Sequence, residues 1–186
     1  MLVWDKLVSE CNSCSKCALG DTRTNIVIER GSRNAPVMFI GEGPGEQEDR
    51  QGRPFVGPAG QLLDLLLDGL MFDENDYYIC NIVKCRPPNN RVPSDDEAEC
   101  CLPFLRNQVA LVKPKIIVCM GATAMKHVID REARITRIRG QWLERKGYWM
   151  MPTFHPAALL RDESKKELMF EDVRKVKLKL DEIMRI

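Results

Sequence analysis

KIIVCMGATAMKHVID occupies residues 115–130, immediately after Pro114. KIIVCMG is a short apolar run closed by a glycine, the pattern of a strand buried on both faces. ATAMKHVID follows at once and reads as a helix. The same alternation runs outward in both directions. Upstream, VMFIG (37–41) is a second buried strand ending in glycine. GQLLDLLLDGL (60–70) carries leucines at 62, 63, 66, 67 and 70 as a helical stripe, and DYYICNIVKC (76–85) is β-branched and aromatic, as strands are. SDDEAECCLPFLRNQVALV (94–112) opens a helix with a capping box, Ser94 and Glu97. Downstream, ITRIRGQWLERKGYWMMPTFHP (135–156) reads as two extended segments and then a loop, and ESKKELMFEDVRKVKLKLDEIM (163–184) as a long amphipathic helix. Strands alternating with helices imply a parallel sheet covered by helices. In such sheets, sites lie past the carboxyl ends of the strands.

The 186 residues suit one domain, 1–186, with no repeat and no linker. A chain of this length buries roughly 70% of the surface that its unfolded form exposes. Apolar residues at 44% and charged residues at 30% exclude a disordered chain. No apolar run approaches the ~20 residues of a membrane helix. The opening MLVWDKLVSE lacks the basic start and apolar stretch of a signal peptide. A soluble, cytoplasmic chain with no membrane partner is expected, and nothing demands more than a monomer. Lys and Arg number 28 against 27 Asp and Glu, a net of +1, which excludes a polycation but not a local basic face. Charge is in fact uneven. Residues 131–146 hold Arg131, Arg134, Arg137, Arg139, Arg145 and Lys146 against two glutamates, whereas Glu42, Glu46, Glu48 and Asp49 make 42–49 acidic.

Eight cysteines in a chain without a secretory signal point to metal rather than disulfides. Cys11, Cys14 and Cys17 give two overlapping C-x2-C pairs, and Cys85 and Cys101 could complete a four-thiolate set. Either zinc or an iron–sulfur cluster takes four thiolates. Cys80 and Cys119, inside apolar strands, read as small core residues. Cys11 and Cys100 each adjoin a candidate ligand.

Four segments sit at strand ends: GEGPGEQED (41–49), CNIVKCRPPNNR (80–91), MGATA (120–124) and TFHPAALLR (153–161). GEGPG is not a dinucleotide loop. Pro44 removes a backbone donor and the four acids repel pyrophosphate. Its glycines suit close approach to something flat or neutral, or a plain tight turn. Phe55, among Pro and Gly in RPFVGPAG (53–60), can stack on a base or belong to a satellite core. Asn81 lies within a strand, where Asn is depleted. Its amide can pair with an edge offering one acceptor and one donor, as uracil O4 and N3–H do, or can cap backbone. His155, held extended before Pro156, is a platform for a hydrogen-bond donor. His127, in a helix among apolar neighbours, reads as structural. AALLR then places two leucines beside Arg161 in an expected loop, an exposed wedge of the kind that opens a duplex.

Taken together, GEGPGEQED, RPFVGPAGQLL, YICNIVKCRPPNNRVP and FHPAALLR, in that order, are similar to the motifs of the family 4 uracil-DNA glycosylases, the iron–sulfur type. The resemblance covers nearly the full length. It implies a three-layer α/β/α fold around a central, mainly parallel sheet. It implies excision of uracil from DNA by hydrolysis of the N-glycosidic bond, the first step of base excision repair of deaminated cytosine. It also implies a 4Fe–4S cluster on Cys14, Cys17, Cys85 and Cys101, with Cys100 a near-duplicate of the last. In the pocket it implies that Glu42, Gly43 and Pro44 line the uracil, Phe55 stacks, Asn81 reads the edge and His155 approaches O2. Leu159 matches the wedge, and Arg161 follows it toward phosphate.

No Asp stands at the first-motif position, which is Gly43. Glu42 and Glu48 are therefore the carboxylates expected to orient water, Glu42 first. Thymine differs from uracil by one methyl, so its exclusion must be steric, and Glu48 or the 41–49 loop is the expected guard. Two other classes compete: a metal-binding nucleic-acid module without catalysis, which does not need Asn81, Phe55 and His155 together, and a nucleotide-binding oxidoreductase, which lacks its phosphate loop.

Overall fold

The computed structural model describes residues 2–185. Its six-stranded sheet contains β1 (Arg30–Gly31), β2 (Val37–Gly41), β3 (Tyr77–Asn81), β4 (Ile116–Met120), β5 (Leu143–Arg145) and β6 (Tyr148–Thr153), in the order β1-β3-β2-β4-β6-β5. The four inner strands run parallel, and only the short edges β1 and β5 are antiparallel. The mainly parallel α/β/α arrangement expected from the alternation is the one observed.

The sheet is buried on both faces because its central strands, β2 and β4, are apolar and buried at every position. Met38, Ile40, Tyr78, Cys80, Ile117 and Cys119 face one layer. That layer holds α1 (Trp4–Asn12), α5 (Asp95–Val112) and α6 (Ala122–Val128). Val37, Phe39, Ile79, Ile116 and Val118 face the other, with α4 (Pro58–Gly69), α8 (Pro156–Arg161) and α9 (Lys165–Met184). Helix α5 begins at the expected capping box. Ser94 Oγ accepts from Glu97 N at 3.2 Å and Glu97 Oε2 from Ser94 N at 2.8 Å, while Arg91 grips the same carboxylate. Cys80 and Cys119 are fully buried core residues, as expected.

Four expectations are corrected. Strand β3 stops at Asn81, not at residue 85, and the chain then turns into the cysteine region. Residues 135–138 are a short helix, α7 (Ile135–Ile138), and the extended hairpin starts only at Leu143. The acidic loop closes into a helix, α3 (Glu46–Gln51), whose N-cap is Gly45. AALLR is helical, in α8, with Pro156 in its first turn, where a missing N–H does no harm. The short α2 (Leu19–Thr22) follows Cys17.

Candidate active site

Strands β2, β3, β4 and β6 deliver Gly41, Asn81, Gly121 and His155 to one end of the sheet. Gly41 and Asn81 are register partners on adjacent strands. Gly41 has to be glycine, because a Cβ there would collide with both Asn81 Oδ1 and the Phe55 ring. Its bare Cα lets the amide and the ring converge. The Phe55 ring lies 5.5 Å from the His155 imidazole, with 30° between the planes. Asn81, Phe55 and His155, three residues far apart in sequence, therefore share one neighbourhood.

Phe55 adopts a left-handed backbone, φ +56°, that a side-chain-bearing residue takes up only when its surroundings enforce it. Arg30 Nη1 donates to the Phe55 carbonyl at 2.7 Å, and Arg30 also pairs with Asp64. Gly60, in the first turn of α4, leaves no room for a Cβ against the same carbonyl. The ring is thus held from below by backbone.

Asn81 Oδ1 and His155 Nε2 are both buried and lack a hydrogen-bond partner among the described residues. His155 caps α8. Its Nδ1 accepts from Ala157 N at 3.1 Å, which leaves the imidazole proton on Nε2. Burial, with the positive charge of Arg161 second, pushes its pKa down to about 4. At neutral pH the ring is therefore an uncharged donor with a free Nε2–H. Asn81 contributes a free acceptor beside it.

The four acids of 42–49 divide sharply. Glu48 Oε1 accepts from Val56 N at 2.9 Å and Gly57 N at 2.7 Å, and its Oε2 accepts from Gly45 N at 3.1 Å. Its carboxylate is engaged by three backbone donors. It shapes the loop that carries Phe55. Asp49, buried, accepts from Thr24 N and Asn25 N. Glu46 pairs with Arg50 and, at 3.7 Å, with Arg86. Glu42 is left, and its one side-chain partner among the described residues is the Thr123 hydroxyl. Gly43 packs against Val83, where a Cβ would stand 2.7 Å from Cγ2, and Pro44 follows it into α3.

Cys14, Cys17, Cys85, Cys100 and Cys101 line one narrow cavity with Arg23 and Lys84. Arg23 Nη1 donates to Cys85 Sγ at 3.2 Å and to the Cys14 carbonyl at 3.0 Å. Burial raises the Cys101 thiol's pKa to about 11, against the opposing positive charge of Lys84. Cys101 is buried, whereas Cys100 on the next helical position is half-buried. Cys11 is fully buried and close enough for its charge to be felt by Cys14, Cys85 and Cys101. Among the described residues, no three His, Cys, Asp or Glu side chains converge on a point that one ion could occupy.

The DNA-facing expectations change most. Leu159 is buried in the core beside α4 and α9, while Leu160 is 53% exposed. Adjacent helical positions diverge by about 100°, so both cannot form a wedge. Arg161 is exposed and has no ion-pair partner among the described residues. The basic stretch 131–146 is not one face. Arg139 turns inward to the buried Asp172, with Nη2–Oδ1 at 2.6 Å, and Arg131 pairs with Glu99. Arg145 donates to the Ile129 carbonyl. His127 is buried against Asp95, as a structural histidine.

Sequence reasoning missed Thr123, Arg30 and Lys84. MGATA stood out as a strand end, but nothing in it marked the hydroxyl. Lys84 had a signal: a lysine inside the apolar stretch NIVKC, next to a candidate ligand.

A family model described as the uracil DNA glycosylase superfamily matches residues 28–178. The type-4 uracil-DNA glycosylase of Thermotoga maritima is 45% identical over 92% of this chain and 92% of its own length. Those of Sulfurisphaera tokodaii and Saccharolobus solfataricus are 41% and 40% identical, over 93% of this chain and 83% and 84% of theirs.

Proposed function

The chain belongs to the uracil DNA glycosylase superfamily and is a uracil-DNA glycosylase, and we propose that Asn81, Phe55 and His155 form its base pocket. Cleavage of the N-glycosidic bond leaves the sugar electron-poor and the departing uracil anionic. A donor aimed at the developing charge lowers that barrier, and one such donor is worth roughly 10²–10³ in rate. His155 Nε2–H supplies it at uracil O2 without bringing a charge of its own. Asn81 Oδ1 accepts N3–H and its amide NH₂ donates to O4, so cytosine mismatches at both. Phe55 stacks on the ring. Gly43 and Pro44 line the loop beside it. Glu42, held by Thr123, orients the attacking water. Leu160, with Arg161 toward phosphate, takes the wedge role that sequence comparison gave to Leu159.

Cys14, Cys17, Cys85 and Cys101 would hold a 4Fe–4S cluster, which supplies covalent links between the N-terminal segment, the turn after β3 and α5. Two cations at the thiols, Arg23 and the fully buried Lys84, favour thiolates there and support that fit. The substrate is DNA, so the setting is the cell interior, and one copy carries the whole site.

The observation that carries this reading is the pair of buried, partnerless atoms around Phe55, Asn81 Oδ1 and His155 Nε2. The test is excision from oligonucleotides carrying one uracil, cytosine or thymine, read by alkali cleavage. Uracil strands alone should be cut, and Asn81→Ala and His155→Ala should each lower kcat about 100-fold or more. Full activity and unchanged base preference in Asn81→Ala would sink the pocket assignment.

A further inference from the structure

Lys84 is completely enclosed, at 0% exposure. Its ammonium donates to one protein acceptor, the Asn81 carbonyl, at 2.6 Å. No carboxylate forms an ion pair with it among the described residues. A buried ammonium without a counter-charge is heavily penalised, because its hydration is lost and nothing replaces it. The groups around it are sulfurs. Lys84 lines the cavity of Cys14, Cys17, Cys85 and Cys101, and Cys85 is the next residue. Its charge also opposes the rise that burial imposes on the thiols of Cys11, Cys80 and Cys101. Four thiolates around a 4Fe–4S core carry net negative charge, the counter-charge that the ammonium needs.

We propose that Lys84 links the cluster to the base reader: its ammonium is the buried counter-ion of the thiolate-bound cluster, and its bond to the Asn81 carbonyl makes it a positioning residue for the Asn81 amide. This rests on the cluster reading above. Asn81 ends β3; Ile82 N and Val83 N still donate to the Gly41 and Glu42 carbonyls at 3.0 and 3.2 Å before the chain turns, and the Asn81 carbonyl accepts from the Lys84 ammonium. Lys84, three residues on, closes that turn and reports the cluster to the pocket. Neither a surface lysine nor a neutral residue could do both.

The test uses the iron-loaded full chain with Lys84→Met, which removes the charge and the donor, and Lys84→Gln, which removes the charge but keeps a donor. A cation beside the cluster stabilises its more negative, reduced form. Both variants should therefore show a more negative midpoint potential than the wild type, followed by anaerobic titration with dithionite. Lys84→Met should lower kcat on a uracil oligonucleotide about tenfold, with KM for DNA unchanged, and Lys84→Gln should lower it less. In an Asn81→Ala background the Lys84→Met effect on kcat should vanish, because the residue acts through that side chain. An unchanged potential in both variants, or a loss of kcat that simply adds to that of Asn81→Ala, would overturn the proposal. If Lys84→Met does not fold, the potential of Lys84→Gln decides. Absence of iron from the purified wild type would instead overturn the cluster reading itself.

Discussion

His155 shows how much a single residue can be tuned by its place. The N–H of Ala157 occupies Nδ1, burial disfavours the cation, and Arg161 adds to that, so the ring stays neutral down to about pH 4 against an ordinary 6.5. Two consequences follow from the sign. In the proposed role the neutral ring is the donor, so excision should lose its His155-dependent part only as pH falls toward 4, with no loss from this group between 5 and 8. The folded state also binds the His155 proton less readily than the unfolded chain. Its contribution to stability is therefore complete above pH 6.5 and declines as pH falls from there through 4. Thermal melts from pH 8 to pH 4 should show the wild type losing more Tm on acidification than His155→Gln. Equal losses, or an acid limb centred near 6.5 in the rate profile, would contradict the assignment. Asn81, Phe55 and His155 were legible in the sequence because each is out of character where it stands: an amide in a strand, an aromatic among glycines, a histidine fixed by proline. Among the carboxylates the sequence ranked Glu42 first and Glu48 second, but it could not show what holds each: backbone donors engage Glu48 and Asp49, arginines engage Glu46, and Glu42 meets Thr123.

Among the elements, α8 departs furthest from its sequence reading. HPAALLR reads as a loop if the prolines and the expected wedge dominate. Proline at the first helical position and the helix-favouring run after it point the other way, and the helix wins. Once helical, the segment must turn one leucine inward. Leu159 packs with Leu63, Leu67 and Met169, and Leu160 is left at the surface beside Arg161. Leu159→Ala should destabilise the protein by about 2–5 kcal/mol, as large-to-small core changes do, and slow excision on single and double strands alike. Leu160→Ala should change stability by less than about 0.5 kcal/mol and slow double-stranded excision more than single-stranded. A Leu159→Ala variant that melts normally and loses only duplex activity would restore the original assignment. The two central strands, β2 and β4, were by contrast placed almost residue by residue. Runs such as VMFIG and IIVCM are buried on both faces, so no competing periodicity blurs them.

At the scale of the whole molecule, the superfamily match begins at residue 28, whereas the type-4 relatives match over 92–93% of the chain. The segment with Cys11, Cys14 and Cys17 thus lies outside the shared core, and Cys14 and Cys17 line one cavity with Cys85 and Cys101 of that core. The even charge total concealed this, because the cations that matter, Arg23 and Lys84, sit beside sulfur rather than carboxylate. The sequence could not choose between Cys100 and Cys101, since both lie at the cavity and spacing alone is off by one. The helix separates them. Cys101 shares the buried side of α5 with Ala98 and Leu105, three residues before and four after. Cys100 points about 100° away and remains half-buried. Cys85→Ala and Cys101→Ala should therefore purify with little iron and without brown colour. Because a link between residues 14 and 85 closes a long loop, its loss should lower stability by on the order of 4 kcal/mol, by analogy with a cross-link of that span. Cys100→Ala should keep both its iron and its Tm. Iron analysis and melting of the three variants decide the matter. Iron lost from Cys100→Ala but kept in Cys101→Ala would reverse the ligand choice and, with it, the direction from which Lys84 meets the cluster.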